Sequence, residues 1–179
     1  MSKITLRVLA IVLVVGGIVG YSWWHTSTTW QYEQIEPGIL YRCSMRDAQE
    51  AINATQKADA RSMVLLMTAE QSSSPAGELV QKFGMRNRIA VNSFAPANDT
   101  LSTETIRSVL EVIMTPKRQP VILISPDGRL SGMMAAAYQL SVKKMPLDEV
   151  LRRAELRDAP EATTLDIREF AERYAAAMK

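Results

Sequence analysis

The chain has 179 residues, enough for one domain of ordinary size with a full hydrophobic core plus an appendage. A formal net charge of +2 gives no ground for a nucleic-acid partner, and the basic pairs Lys117/Arg118, Lys143/Lys144 and Arg152/Arg153 are of the kind that mark solvated helix ends. A basic surface for anionic lipid or a polyanion is the minor alternative. With one cysteine, one histidine, no metal-ligand spacing and no nucleotide-binding glycine motif, neither a metal nor a cofactor is expected.

In chain order, Ile4–Trp24 is apolar except for Thr5, Arg7 and Ser22. At about 1.5 Å per residue it is long enough to cross a bilayer core, with Tyr21, Trp23 and Trp24 at one interface. An uncleaved signal anchor is expected, because no A-x-A-like site follows; a cleaved signal peptide is the rival. Lys3 and Arg7 precede the span and no further Lys or Arg occurs before Arg42. The positive-inside rule then puts the N-terminus in the cytoplasm and the rest in the periplasm or another extracytoplasmic space. The expected organisation is an anchor over residues 1–25, a tether over 26–35 and a domain over 36–179.

After an opening strand near Pro37–Ser44, the patterning predicts a helix over about Arg46–Lys57 and a strand over Met63–Met67. A Ser-rich loop (Gln71–Ala76), a helix over Gly77–Phe83, a strand over Arg88–Val91 and a helix over Ser102–Met114 follow. Val121–Ile124 is a continuous apolar run suited to a buried strand. Further helices are expected from Ser131–Gly132, over Leu147–Leu156 and over Thr164–Met178. The alternation predicts an α/β fold, a largely parallel central sheet flanked by helices. Ile167, Phe170 and Tyr174 share a face of the last helix, suited to packing on the domain more than to a protein partner.

The segment that carries chemistry follows Ile124. Ser125, Pro126, Asp127 and Gly128 are turn residues, and Ser131 and Gly132 suit a helix start. A strand feeding a helix through a tight loop aims backbone N–H groups and the positive end of the helix dipole at one point, where an anion is stabilised. The plain alternative is an ordinary strand-to-helix crossover.

From about Glu36 to Arg157, the order of segments resembles the cysteine-dependent dual-specificity and tyrosine phosphatases. Pro37–Ser44 is similar to the family's opening "pGlYRSgqp" strand, and Ala60–Met67 to its "GIktVInLR" strand. Phe83–Val91 is similar to "lGi.yv.ip", Thr115–Ile124 to "dp.nrPVlvHC", and Lys143–Val150 to the "gws.eeAl.e" helix. The resemblance implies a phosphatase-like three-layer sandwich.

It also implies a defect. In the signature HC-x5-R-[ST]-G, Cys is the thiolate nucleophile and Arg forks the phosphate. Anchoring on Ser131 and Gly132 puts Ile124 at the Cys position and Leu130 at the Arg position. Anchoring on Gly128 puts Ser125 at the Cys, with the loop one residue short and Arg129 early. Leu66 and Thr68 stand where the "nLR" strand has Asn and Arg. Cys43 lies in the opening strand and His25 beside the apolar segment, so neither serves the loop.

The expectation is a membrane-anchored, catalytically inactive pseudophosphatase, a binding or scaffolding module with a protein partner and a weak oxyanion site at Ser125, Asp127, Gly128, Arg129, Ser131 and Gly132. The alternative is a divergent active phosphatase hydrolysing a phosphoprotein or another phosphate ester, with Ser125, Arg129 and Asp99 as catalytic groups. Asp99, just before Thr100, suits a helix-capping or turn role better than a catalytic one.

Overall fold

The computed structural model describes residues 32–96, 100–155 and 161–178; Ile4–Trp24, His25 and Asp99 lie outside them. Among the described residues no helix is long and apolar enough to cross a membrane.

Five strands form one mixed sheet: β1 (Glu33–Glu36), β2 (Leu40–Ser44), β3 (Ser62–Leu66), β4 (Ala90–Phe94) and β5 (Val121–Ser125), in the order β1-β2-β5-β3-β4. Only β1 and β2 pair antiparallel. The other pairings are parallel, with Ser44 level with Ser125 and Leu65 level with Ile124. The three central strands are buried along their whole length, as their near-continuous apolar runs require when helices cover both faces.

Seven α-helices are described: α1 (Ala48–Lys57), α2 (Ala69–Ser72), α3 (Pro75–Arg86), α4 (Thr103–Met114), α5 (Arg129–Ser141), α6 (Leu147–Glu155) and α7 (Glu161–Ala177). Side chains alternate between two cores. Leu40, Val64, Leu66, Val121 and Leu123 face α4, α5, α6 and α7. Tyr41, Cys43, Met63, Leu65, Ile122 and Ile124 face α1 and α3. This period-2 alternation sends Ser125, two residues after Leu123, to the α5 side.

Three local features depart from the sequence-based expectation. The sheet begins at Glu33, inside the segment expected as tether, because the turn at Gly38 (φ +71) folds β1 back onto β2. The Ser-rich stretch is not a plain loop: Thr68 forms a capping box with Gln71 to start α2, and Ser74 caps α3, whose first residue is Pro75. Helix α5 begins at Arg129, two residues before the expected Ser131, with Gly128 in the left-handed conformation (φ +79) as its N-cap. Residues 130–140 are all buried, so α5 is a core helix. On α7, Ile167 and Phe170 are buried and Tyr174 stacks on Phe170 at 5.6 Å, which shows the apolar face packing on the domain.

Candidate functional site

The loop from Ser125 to Gly132 lies at the C-terminal end of β5, between β2 and β3, where an α/β sheet of this order places its crevice. Ser125 is fully buried at its base. Its hydroxyl donates to Ser131 Oγ (3.1 Å) and accepts from the Ser131 backbone N–H (3.2 Å). Ser131 Oγ in turn donates to the carbonyls of Gly128 (3.0 Å) and, longer, Cys43 (3.4 Å). The Ser125 proton is therefore held in a closed relay that contains no base.

Pleat phase distinguishes the two ways of laying the signature on the chain. Ile124 faces the α1 and α3 core, away from the loop, whereas Ser125 faces into it and touches Ser131. Leu130 is 3 % exposed and packs in the other core with Met134 and Val109. Arg129 turns outward. Its guanidinium lies 3.6 Å from Asp127 and 3.4 Å from Asp166 on α7, at the wall of a cavity of about 310 Å³ whose floor includes Leu101, Ile106, Met133 and Phe170.

The loop amides are largely spent within the loop. Gly128 N–H donates to the Ser125 carbonyl (3.4 Å), Arg129 N–H to Asp127 Oδ1 (2.9 Å), and Gly132 N–H to the Gly128 carbonyl (3.0 Å). The Asp127 carboxylate thus occupies a donor that an external anion would need, and brings a charge that repels one.

Sequence reasoning missed the buried cation beneath the loop. Arg42, 3 % exposed on β2, donates from Nε to Glu33 Oε2 (2.5 Å) and from Nη1 to the Gly128 carbonyl (3.4 Å). Burial pulls its guanidinium down to about 9, still charged at neutral pH beside the Glu33 carboxylate. The available signal was a charged residue within the apolar strand Leu40–Ser44. Gly132 leaves room for it: a Cβ there would lie 2.3 Å from Arg42 Nη1 and 2.4 Å from Ile167 Cδ1.

Cys43, the chain's one cysteine, is buried on the opposite face of the sheet. Burial, helped by the nearby Glu50 and opposed by Arg42, pushes its thiol up to about 12, far from the thiolate a nucleophile needs. Among the described residues no cluster of His, Cys, Asp and Glu could hold a metal ion.

No protein-family model matches the chain, and no curated protein matches it in sequence. Solved structures do resemble it. The Siw14 catalytic core superposes with a TM-score of 0.63 at 17% identity, covering 80% of this chain and 84% of that one. TpbA of P. aeruginosa, in a variant complexed with pTyr, gives 0.62 at 18%, covering 83% and 90%. Tk-PTP in its active form gives 0.60 at 20%, covering 82% and 97%. With the sheet order, the β5 loop and the buried α5 behind it, these likenesses show that the chain has the fold of the cysteine-dependent tyrosine and dual-specificity phosphatases.

Proposed function

We propose that this chain is a membrane-anchored pseudophosphatase: a phosphatase-fold domain that binds or scaffolds a protein partner and does not hydrolyse phosphate esters. One observation carries the proposal. Ser125 stands at the base of the loop with its proton committed to Ser131, and neither way of laying the signature on the chain supplies an inward arginine: Leu130 is buried in the core and Arg129 pairs with Asp127 and Asp166. A serine hydroxyl needs a base to become nucleophilic, and the relay Ser125–Ser131–Gly128 carbonyl supplies none. Arg129, paired with Asp127 and Asp166, is turned away from the place where a phosphate would be forked.

A variant of TpbA holds pTyr. In this chain an oxyanion would have to displace Asp127 from the Arg129 amide. Losing the buried Arg fork removes about 1.5–3 kcal/mol, so any oxyanion binds weakly, with Arg129 and Ser131 as the nearest side-chain donors. Membrane anchoring is supported by the apolar run Ile4–Trp24, and an extracytoplasmic domain by Lys3 and Arg7 ahead of it.

The test is hydrolysis of an aryl phosphate by the purified full chain beside Ser125→Ala, Arg129→Ala and Cys43→Ser. No turnover above the variants is expected. Activity lost on Ser125→Ala or Cys43→Ser overturns the assignment in favour of a divergent phosphatase. Protease added to intact cells or spheroplasts should digest a C-terminal tag, and full protection until lysis overturns the orientation.

A further inference from the structure

The end of the sheet opposite the loop, where β2, β3, β4 and β5 begin, has a charge pattern that the phosphatase fold does not require. Each connection returning the chain to this end carries two exposed cations. They are Lys57 at the end of α1 with Arg61 before β3, and Arg86 at the end of α3 with Arg88 before β4. Lys117 and Arg118 follow between α4 and β5, and Lys143 and Lys144 between α5 and α6. The carboxylates near this end are Glu36, Asp59, Glu111, Asp148 and Glu149, the last paired with Arg152 and Arg153. Among the described residues Lys143 is the only one of the cations with a carboxylate partner, Glu36 at 2.9 Å. The end therefore carries more positive charge than the +2 of the whole chain.

Helix-dipole compensation accounts for only part of the pattern. Lys57 and Arg86 sit in the last turns of α1 and α3, but α4 and α5 have no basic residue in theirs. The other cations lie beyond the helices, on the returns themselves.

We infer that this basic end is a docking surface for an anionic lipid bilayer. The pairs spread across the sheet, roughly 20 Å at the usual strand spacing, which matches an extended planar polyanion better than a small ligand. β1 starts toward the loop end, with Glu33 level with Arg42, but the Tyr32 ring contacts the Lys57 ammonium at 4.5 Å, so the chain ahead of the domain starts within reach of the basic end. Residues 25–31 connect that point to the proposed anchor and, fully extended, span at most about 25 Å. The choice of a bilayer as partner rests on the proposed anchoring; the charge pattern does not.

The experiment uses the full chain reconstituted in nanodiscs of phosphatidylcholine, with or without phosphatidylglycerol, followed by hydrogen exchange. Peptides spanning Arg61, Arg88 and Lys117 should exchange at least about three-fold more slowly in the anionic discs, as expected for several basic side chains held at a charged surface. The protection should vanish at about 0.5 M salt, where the Debye length is only a few ångströms. It should also vanish in the combined variant Arg61→Glu, Arg88→Glu, Lys117→Glu, Lys144→Glu, with circular dichroism checking the fold. Equal exchange in both discs overturns the inference, and the salt arm decides it on the unaltered chain even where the variant misfolds. Protection by soluble heparin without protection by anionic discs also overturns it. A chain that fails to co-elute with either disc sinks the anchor instead. Salt-sensitive flotation of that chain with anionic vesicles would then support docking, and its absence would overturn docking as well.

Discussion

Ser125 Oγ and the Ser131 backbone N–H are hydrogen-bonded at 3.2 Å across the loop, so the last residue of β5 is tied to the first turn of α5. The bond holds the loop closed on itself. Ser125→Ala leaves the buried Ser131 N–H without this acceptor, and a loss of about 1–3 kcal/mol in urea unfolding is expected. Ser125→Cys places a thiol at the loop base without an inward arginine or the full loop length. Aryl phosphate assays on that variant should remain at background, and substantial turnover would show that the thiol alone was missing.

Cys43 should be chemically silent in the folded chain. Its thiol is buried and pushed up to about 12, so thiolate is scarce at neutral pH. Reaction with an aromatic disulfide reagent is expected to track unfolding, with a rate that rises with urea. Rapid stoichiometric labelling in native buffer would contradict the buried position.

Glu36 and Tyr138 should confine stability at both ends of the pH scale. The Tyr138 hydroxyl donates to Glu36 Oε2 at 2.5 Å, and Lys143 adds a second bond. Glu36 is held below its ordinary value of 4.5, first by the Tyr138 hydrogen bond and then by Lys143 against the opposing effect of burial. The unfolded carboxylate therefore binds protons first, and this stabilisation, present above about 4.5, is lost as pH falls through the folded value. Tyr138 is raised above its ordinary 10.0 by burial and by Glu36. Above that value the unfolded phenol ionises before the folded one, so stability falls as pH rises. Thermal melts across pH should show Glu36→Gln flattening the acid limb and Tyr138→Phe the alkaline limb. Unchanged limbs would mean that other groups dominate.

Gly132→Ala should destabilise the domain through overpacking. Its Cβ would meet Arg42 and Ile167 at 2.3 and 2.4 Å, and Arg42 is held by Glu33 and cannot swing away without losing that bond. A cost of about 1–3 kcal/mol is expected by urea unfolding. Adding Ile167→Val should recover part of it, and strict additivity of the two substitutions would argue against the shared contact.

The order of strands and helices was legible because buried parallel strands read as short apolar runs and the helices between them carry their own caps. Val121–Ile124 became β5, and Ser102, three residues before Thr105, caps α4. Boundaries slipped where two cues competed. The Ser-rich stretch had loop composition, yet Ser74 and Pro75 are also a helix start, and that role prevailed.

Legible in the chain alone were the alternation of elements, the lack of a cysteine within the loop, and the lack of an arginine at the position before Ser131 and Gly132. Each is a matter of residue identity along the chain, which local patterning reports directly. The assembled sheet settled whether Ser125 or Ile124 faces the loop, because a one-residue change of phase sends a strand side chain to the other face and pairing of Ser44 with Ser125 sets that phase. Packing across the fold likewise settled that Arg129 turns outward to Asp166, 37 residues later, and that Arg42 reaches the loop from a neighbouring strand while held by Glu33. These are contacts between segments distant in the chain, and no local pattern encodes the geometry that brings them together.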